Sequence, residues 1–176
     1  MSLLKIKHST LRHIMATVAL VLLSGLAFAM PDDKNQPIEL TADAADINEA
    51  KNISIYTGNV DLRQGTMQIL CDVLTVYHVD GNAERMVAEA KGAGQIVRFK
   101  QQTPDGLMKG RAMTVEYFVD KDEVFLIEKA WVKNVQDTME SDRITWDRTK
   151  GRIKGGKAAK GDSRVKFVIQ PNNNKK

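Results

Sequence analysis

The chain has 176 residues, of which 43% are apolar and 6% are aromatic, with a formal net charge of +4. It is long enough for one ordinary domain with a sizeable core. Its single cysteine, Cys71, excludes an intramolecular disulfide, so stability must come from packing. Cys71 ends an apolar run at 67–71, and we interpret it as a small buried core residue rather than a reactive thiol.

Residues 1–29 have the anatomy of a secretory signal peptide. The segment opens with three basic residues and no acid, continues with an apolar run at 14–23, and ends in Ala27-Phe28-Ala29. An uncleaved membrane anchor is the alternative, but a spanning helix needs about 20 apolar residues. We therefore expect cleavage after Ala29, one domain over residues 30–170, and a flexible polar and basic tail over 171–176.

Charge is unevenly distributed along the exported chain. Residues 149–176 carry nine Lys or Arg and one acid, whereas residues 30–148 carry 14 basic and 21 acidic residues. A basic segment on an acidic body attracts anions, such as phosphate groups or an acidic protein face. Nucleic acid is not expected as a partner of an exported protein.

Apolar and polar residues alternate in short runs after the signal peptide, and no segment has a sustained helical period. In chain order, the predicted strand runs are 38–40, 53–55, 60–62, 67–71, 73–77, 97–99, 113–119, 124–127, 144–146 and 165–169. Turn residues fall at 80–82, 104–106, 120–122, 150–151 and 155–156. The pattern predicts an all-β meander or sandwich.

Three of these runs repeat one local pattern, centred on Thr75, Thr114 and Thr145 with an apolar residue on either side. Stacked β-units of this kind share one continuous interior, which is either filled by its own side chains or open to an apolar ligand. Composition does not decide between these two outcomes, although frequent methionine suits an adaptable lining. Strand edges left at the two ends of such a stack can pair with another copy or a similar fold.

The sequence shows no catalytic constellation. Outside the signal peptide, His78 is the only histidine and Cys71 the only cysteine, too few for a Cys/His zinc site. A Cys71–His78 pair is formally possible, but no nearby residue would orient it. Gly92-Ala-Gly94 is not followed by a helical pattern, as a nucleotide-binding loop would be. We predict no enzyme activity and no cofactor or metal.

Several motifs resemble the OstA-like family of periplasmic lipopolysaccharide-transport proteins. They are QPIELTAD at 36–43, YTGNV at 56–60, QGT at 64–66, DVLTV at 72–76, TPDG at 103–106 and KGRA at 109–112. The resemblance runs from about residue 36 to residue 169. Its most specific part is the TGNV and QGT run, which ties a turn to two strands in fixed register.

The resemblance implies a periplasmic, all-β chain: a stacked antiparallel β-jellyroll, open at both ends, whose interior holds the acyl chains of lipid A. It implies contacts with LptC at the inner membrane, with the N-terminal domain of LptD at the outer membrane, and head-to-tail with further copies. By matching positions, the lipid contacts would be Ile38, Leu40, Phe99, Tyr117 and Val119. The resemblance assigns no role to Cys71 or to the basic segment 150–166, for which lipid A phosphates would be natural partners.

Two other interpretations remain beside this one. The first is an LptC-like component of the same pathway that keeps its N-terminal anchor. The second is a structural β-repeat module with a dry core, which would act only through protein contacts. The first residue of the exported chain tests the former, and a lipid adduct at Phe99 or Tyr117 tests the latter.

Overall fold

A computed structural model of the chain describes residues 33–92, 94–135, 137–156 and 164–170. Within these ranges there are twelve β-strands and two single-turn 3₁₀ helices, Asp33–Asn35 and Glu49–Lys51. The strands are β1 (Ile38–Thr41), β2 (Ala44–Asn48), β3 (Ile53–Gln64), β4 (Met67–Val79), β5 (Asn82–Glu89), β6 (Val97–Thr103), β7 (Gly106–Ala112), β8 (Thr114–Phe118), β9 (Glu123–Asn134), β10 (Asp137–Asp147), β11 (Arg152–Gly156) and β12 (Lys166–Val168). The all-β prediction is confirmed.

Three parts of the sequence interpretation lie outside the described residues. They are the signal peptide at 1–29, with its cleavage site at Ala29, residues 157–163 of the basic segment 150–166, and the tail at 171–176. Neither helix among the described residues has the length or apolar character of a membrane span.

The long strands carry the topology, because each contributes to two layers. One edge of β4 pairs with β3, while its other edge pairs with β6 over residues 68–70 and with β5 over residues 73–79. Strand β9 likewise pairs with β8 over 123–127 and with β7 over 131–134. The single hydrogen-bonded sheet therefore divides into two facing layers, all of it antiparallel.

We call the two layers layer I and layer II. Layer I contains β2, β5, β8 and β11 with the adjoining halves of the long strands, and layer II contains β1, β6, β7 and β12 with the other halves. Alternate residues on each strand point between the layers, as period-2 alternation requires. This explains why the alternating runs of the sequence became strands with one buried face.

The long strands cross between the layers along one side of the sandwich, which we call the folded edge. Registers shift there between Thr57 and Val60 in β3 and between Ser141 and Arg143 in β10. In β9 the crossing uses Glu128 and Lys129 with φ of 61° and 52°. Extra residues and left-handed backbone bend a strand without ending it. The hairpin turns of both layers lie along the opposite side, which we call the turn edge.

The core fills the space between the layers over most of their length. Leu62, Met67, Leu74 and Tyr117 have no exposed surface, and Ile144 has none either. Burying an aliphatic or aromatic side chain of this size contributes about 1.5–3 kcal/mol. The apolar face of the sheet is thus the main source of stability in a chain without disulfides.

Two local predictions differ from the structure. Runs 53–55 and 60–62 form one strand, since the positive φ of Gly58 and Asn59 makes a bulge rather than a chain reversal. Gly155 and Gly156 were expected in a turn but belong to β11. A Cβ on Gly155 would lie 2.7 Å from the sulfur of Met139, so this glycine marks close packing inside a strand.

Candidate functional site

The five residues predicted to contact lipid all lie in or against one apolar cluster between the layers. Phe99 and Tyr117 are buried in it, from layer II and layer I respectively. Ile38 and Leu40 on β1, together with Val119 just after β8, are partly buried and pack against it. The ring of Phe99 meets that of Trp146 edge-on, with centroids 5.4 Å apart. The structure brings the five together, while their contact with lipid stays a prediction.

The interior is sealed in the middle of the stack and more exposed at both ends. At the β1 and β2 end, Ile38, Leu40 and Tyr56 are only partly buried, and Ile47 is 63% exposed. At the β11 and β12 end, inward-facing Met139 and Ile153 are partly buried. Phe167, paired with Met139, is 50% exposed there. The apolar side chains of the interior therefore extend to both ends of the stack.

A buried polar cluster joins the two layers across the turn edge, and we call it the polar clamp. It consists of Asp33, Gln64, Thr66, Gln101, Tyr117, Asp122 and Arg148. The guanidinium of Arg148 donates to Asp122 at 2.7 Å and to the Tyr117 hydroxyl at 2.9 Å, and lies 4.0 Å from Asp33. Its side chain is only 4% exposed.

Asp33 anchors the layer II side of the clamp. Its carboxylate accepts from the backbone N–H of Thr66 at 2.8 Å, from the Thr66 hydroxyl at 2.5 Å and from Gln101 Nε2 at 2.7 Å. Since Asp33 precedes β1, these hydrogen bonds fix the first described residues against the turn edge. Buried charges are tolerated only when paired and hydrogen-bonded in this way.

Tyr117 connects the clamp to the apolar interior. Its hydroxyl lies 3.0 Å from Gln64 Oε1 and 3.2 Å from Asp122 Oδ1, and it can donate its single proton to only one of them at a time. Burial raises the pKa of Tyr117 to about 12, despite the opposing charge of Arg148. Its ring therefore lines the interior while its polar tip closes the turn edge.

The sequence pattern did not predict the clamp, because its charged members look like ordinary turn residues. Asp33, Asp122 and Arg148 each sit beside turn signals, and acids and bases in turns are usually solvated. Only the pairing of distant strands brings them together. Two clamp atoms, Gln101 Oε1 and Arg148 Nε, are buried without a hydrogen-bond partner in the described part of the chain. Such groups make the clamp costly to bury.

The geometry excludes the Cys71–His78 pair as a catalytic unit. Both residues lie on β4, seven residues apart, which corresponds to about 23 Å along a strand. His78 instead shares a 3.1 Å hydrogen bond with the buried hydroxyl of Ser54. Burial raises the pKa of the Cys71 thiol to about 12, which disfavours the reactive thiolate. Residues 33–92, 94–135, 137–156 and 164–170 contain no cluster of His, Cys, Asp or Glu suited to a metal ion.

These features define a class: an antiparallel β-jellyroll whose apolar interior extends to both ends of the stack. The model of the LptA/(LptD N-terminal domain) LPS transport protein family matches residues 39–152. The chain therefore belongs to this family. The family resemblance suggested by the sequence motifs is confirmed, as is the predicted jellyroll.

Individual relatives agree with the family assignment. The chain is 29% identical over 153 residues to the lipopolysaccharide export system protein LptH of Pseudomonas aeruginosa, covering 84% of this chain and 87% of the relative. It is 29% identical over 160 residues to LptA of Haemophilus influenzae, covering 90% and 91% respectively. The crystal structure of LptH, described as the LptA-homologous periplasmic component of a lipopolysaccharide transport device, superposes with a TM-score of 0.72 at 28% identity, covering 80% of this chain and all of that one.

Proposed function

We propose that this chain is a periplasmic carrier of lipopolysaccharide, which holds the acyl chains of lipid A between its two layers. The observation that carries the proposal is the single apolar cluster in which Ile38, Leu40, Phe99, Tyr117 and Val119 meet. The lipopolysaccharide export names of its relatives support the substrate. The role is transport, and the proposal assigns no catalytic step to the chain.

Lipid entry requires the layers to separate, because core side chains fill the middle of the interior. The folded edge cannot part without breaking strands, since β3, β4, β9 and β10 run through it. The turn edge is joined between layers by the polar clamp. We therefore propose that acyl chains enter as the turn edge opens, with side chains such as Phe99 and Tyr117 exchanging contacts within the core for contacts with lipid.

Site-specific photo-crosslinking in cells tests the interior. A photoreactive residue at Tyr117 or Phe99 should give a lipopolysaccharide adduct. The matched control is Phe118, the next residue on β8, whose side chain points to the outer face and meets Phe125 with ring centroids 5.4 Å apart. Adducts at Tyr117 but not at Phe118 are the expected result. Equal labelling at both, or none at either interior position, would favour the structural module with a dry core.

The end strands support assembly with similar folds. In the described residues, the outer edges of β1 and β2 at one end, and of β11 and β12 at the other, have no strand partner. Exposed apolar residues accompany these edges, with Ile47 at 63% and Ile169 at 73% exposure. We propose strand pairing there with further copies, with LptC and with the N-terminal domain of LptD. Phe167→Asp should weaken concentration-dependent self-association in analytical ultracentrifugation, whereas Phe118→Asp should not.

Location and the absence of catalysis are tested separately. Edman sequencing of exported protein should begin at Met30, whereas a start at Met1 or Ser2 would favour the anchored interpretation. His78→Ala should leave lipopolysaccharide transport intact, because the imidazole hydrogen-bonds the Ser54 hydroxyl, while the bond to the Asn52 carbonyl comes from the His78 backbone N–H, which alanine keeps. Loss of transport in a folded His78→Ala protein would contradict a purely carrying role.

A further inference from the structure

The outer face of layer II carries an unusual arrangement of cations. The pairing register sets Arg98 directly opposite Arg111, and Lys100 directly opposite Lys109. These four side chains are exposed. They form two successive cross-strand pairs on the outer face of the β6–β7 hairpin. Adjacent strands are about 4.8 Å apart, and alternate residues on one strand about 6.7 Å apart. Four positive charges therefore share one small patch, which we call the basic depression.

The patch is a depression of about 260 Å³ rather than a flat surface. Phe99 and Gly110 are paired at its centre. The Phe99 side chain points inward and Gly110 has none, so mainly their backbone forms the floor. Leu70 and Trp131 flank it on the neighbouring strands. The Arg111 guanidinium lies 4.9 Å from the centre of the Trp131 ring, which favours a fixed orientation for that cation.

None of the four cations forms an ion pair with an acid of residues 33–92, 94–135, 137–156 or 164–170. The two acids on the outer face beyond the neighbouring strands already have partners. Asp61 on β3 lies 2.8 Å from Arg63 and 2.8 Å from Gln68, and Glu140 on β10 lies 3.7 Å from Lys166. On the outer face of layer I, by contrast, Arg85 meets Glu116 at 3.7 Å. Like charges directly opposite each other destabilise a sheet, so this arrangement suits an anionic ligand.

The donor set fits a phosphate monoester. Guanidinium groups bind phosphate oxygens through two parallel hydrogen bonds, and lysines add point charge. A phosphate between the two arginines would leave room for an attached sugar beside the apolar side chains of Leu70 and Trp131. Lys100 also precedes Gln101 of the polar clamp, so a ligand bound here lies next to the turn edge.

We propose that the basic depression binds the phosphorylated sugar headgroup of lipopolysaccharide from the solvent side, before its acyl chains pass the turn edge. The inference rests on the proposed function for the identity of the lipid. It adds a second site, outside the sheet and separate from the apolar interior.

The first experiment titrates the exported full chain with glucosamine phosphate, followed by NMR of the two tryptophan indoles. The Trp131 signal should shift saturably, and that of buried Trp146 should stay unchanged. Unphosphorylated glucosamine should shift neither. Arg98→Gln with Arg111→Gln should weaken binding at least ten-fold. The control pair Arg152→Gln with Lys154→Gln removes the same charge from exposed positions on β11 and should change affinity less than two-fold. Equal weakening in both pairs, or no saturable shift, overturns the proposal.

A stability measurement separates a binding role from a structural one. Without ligand, the single variant Arg98→Gln should unfold at the same or a higher denaturant concentration, because it removes the repulsion between the two arginines and keeps the contact of Arg111 with Trp131. A lower midpoint would make the arginines structural and overturn the proposal.

The last experiment fixes the source of the phosphate and compares the two proposals. Intact lipopolysaccharide should bind the wild type at least ten-fold more tightly than enzymatically dephosphorylated lipopolysaccharide, and vesicles of phosphatidylglycerol should bind weakly. Vesicle binding as tight as that of lipopolysaccharide would indicate a membrane-docking face instead.

If the Tyr117 adduct forms equally fast in the Arg98 and Arg111 variant, the depression has no role in loading and the interior carrier stands. If glucosamine phosphate binds but no Tyr117 adduct forms, the interior carrier fails.

Discussion

The two long edges of the sandwich hold the same layers together by different means. At the folded edge the connection is covalent, because β3, β4, β9 and β10 cross it as continuous strands. At the turn edge the connection is the polar clamp, made of hydrogen bonds and one buried cation between two acids. A sandwich of this kind can open on one side only. We therefore infer that the turn edge is the moving part of a lipid carrier and that the folded edge is its hinge.

Of the changes considered, removing the cation of the polar clamp should cause the largest loss of stability. Arg148→Ala leaves the carboxylates of Asp33 and Asp122 buried without their shared positive partner. Breaking a buried ion pair by removing one side costs about 3–5 kcal/mol. We expect a loss of this size in the free energy of unfolding, measured by urea denaturation.

Two variants control this measurement. Arg152→Ala, an exposed arginine four residues further on, should change stability little. Adding Asp122→Asn to Arg148→Ala should recover part of the loss, since one uncompensated carboxylate disappears. If Arg148→Ala and Arg152→Ala behave alike, the clamp does not hold the turn edge closed.

The folded edge is tested by a matched pair of glycine substitutions. Gly58 and Gly81 both have φ of 78°, but a Cβ on Gly58 would clash with the carboxylate of Asp43, whereas one on Gly81 would meet nothing within 4 Å. Gly81→Ala should cost about 1–2 kcal/mol from the left-handed backbone alone. Gly58→Ala should cost about 2–3 kcal/mol in urea denaturation, because it also displaces the hydrogen bond from Asn59 to Asp43. Equal losses would mean that the bulge adapts freely.

The sequence predicted the strands well and their connections less well, for a physical reason. Alternation reports which face of a strand is buried, so the pattern alone places Phe99 and Tyr117 on inward faces. A glycine with positive φ, however, can end a strand or bend it. At Gly58 the outcome depends on β4, which pairs with β3 on both sides of the bulge. That information lies in another segment of the chain.

The candidate site divides in the same way. Apolar residues at alternating positions predict an interior, but they do not distinguish a packed core from a lipid contact. The polar clamp could not be predicted, because Asp33, Asp122 and Arg148 lie in three separate turns that only the folded sheet brings together. The basic depression was not predicted either. The KGRA motif resembles a family pattern, but the charges of Lys109 and Arg111 matter only opposite Lys100 and Arg98.

Tyr117 offers a smaller, pH-dependent probe of the turn edge. Tyr117→Phe removes the hydroxyl that serves Gln64, Asp122 and Arg148, at a cost of about 1–2 kcal/mol at neutral pH. The pKa of Tyr117 rises on folding from 10.0 to about 12, so the unfolded chain loses this proton first. Wild-type stability should therefore fall as pH rises from 10 to about 12. The urea midpoint of the control Tyr77→Phe should fall across this pH range as it does in the wild type. The midpoint of Tyr117→Phe should fall less steeply.

Cys71 offers a pH-dependent probe of the folded edge, with the smallest expected effect. It pairs with Val60 of β3, directly beside the bulge. Burial raises the pKa of its thiol from 9.0 to about 12, so the contribution of Cys71 to stability is lost as pH rises through that interval. In the folded protein near neutral pH, alkylation by iodoacetamide should be at least about ten-fold slower than in urea, because little thiolate forms. Arg148→Ala should leave this protection largely unchanged if only the turn edge opens. Fast alkylation in that variant would show that both edges open together, which removes the distinction between a hinge and a moving edge.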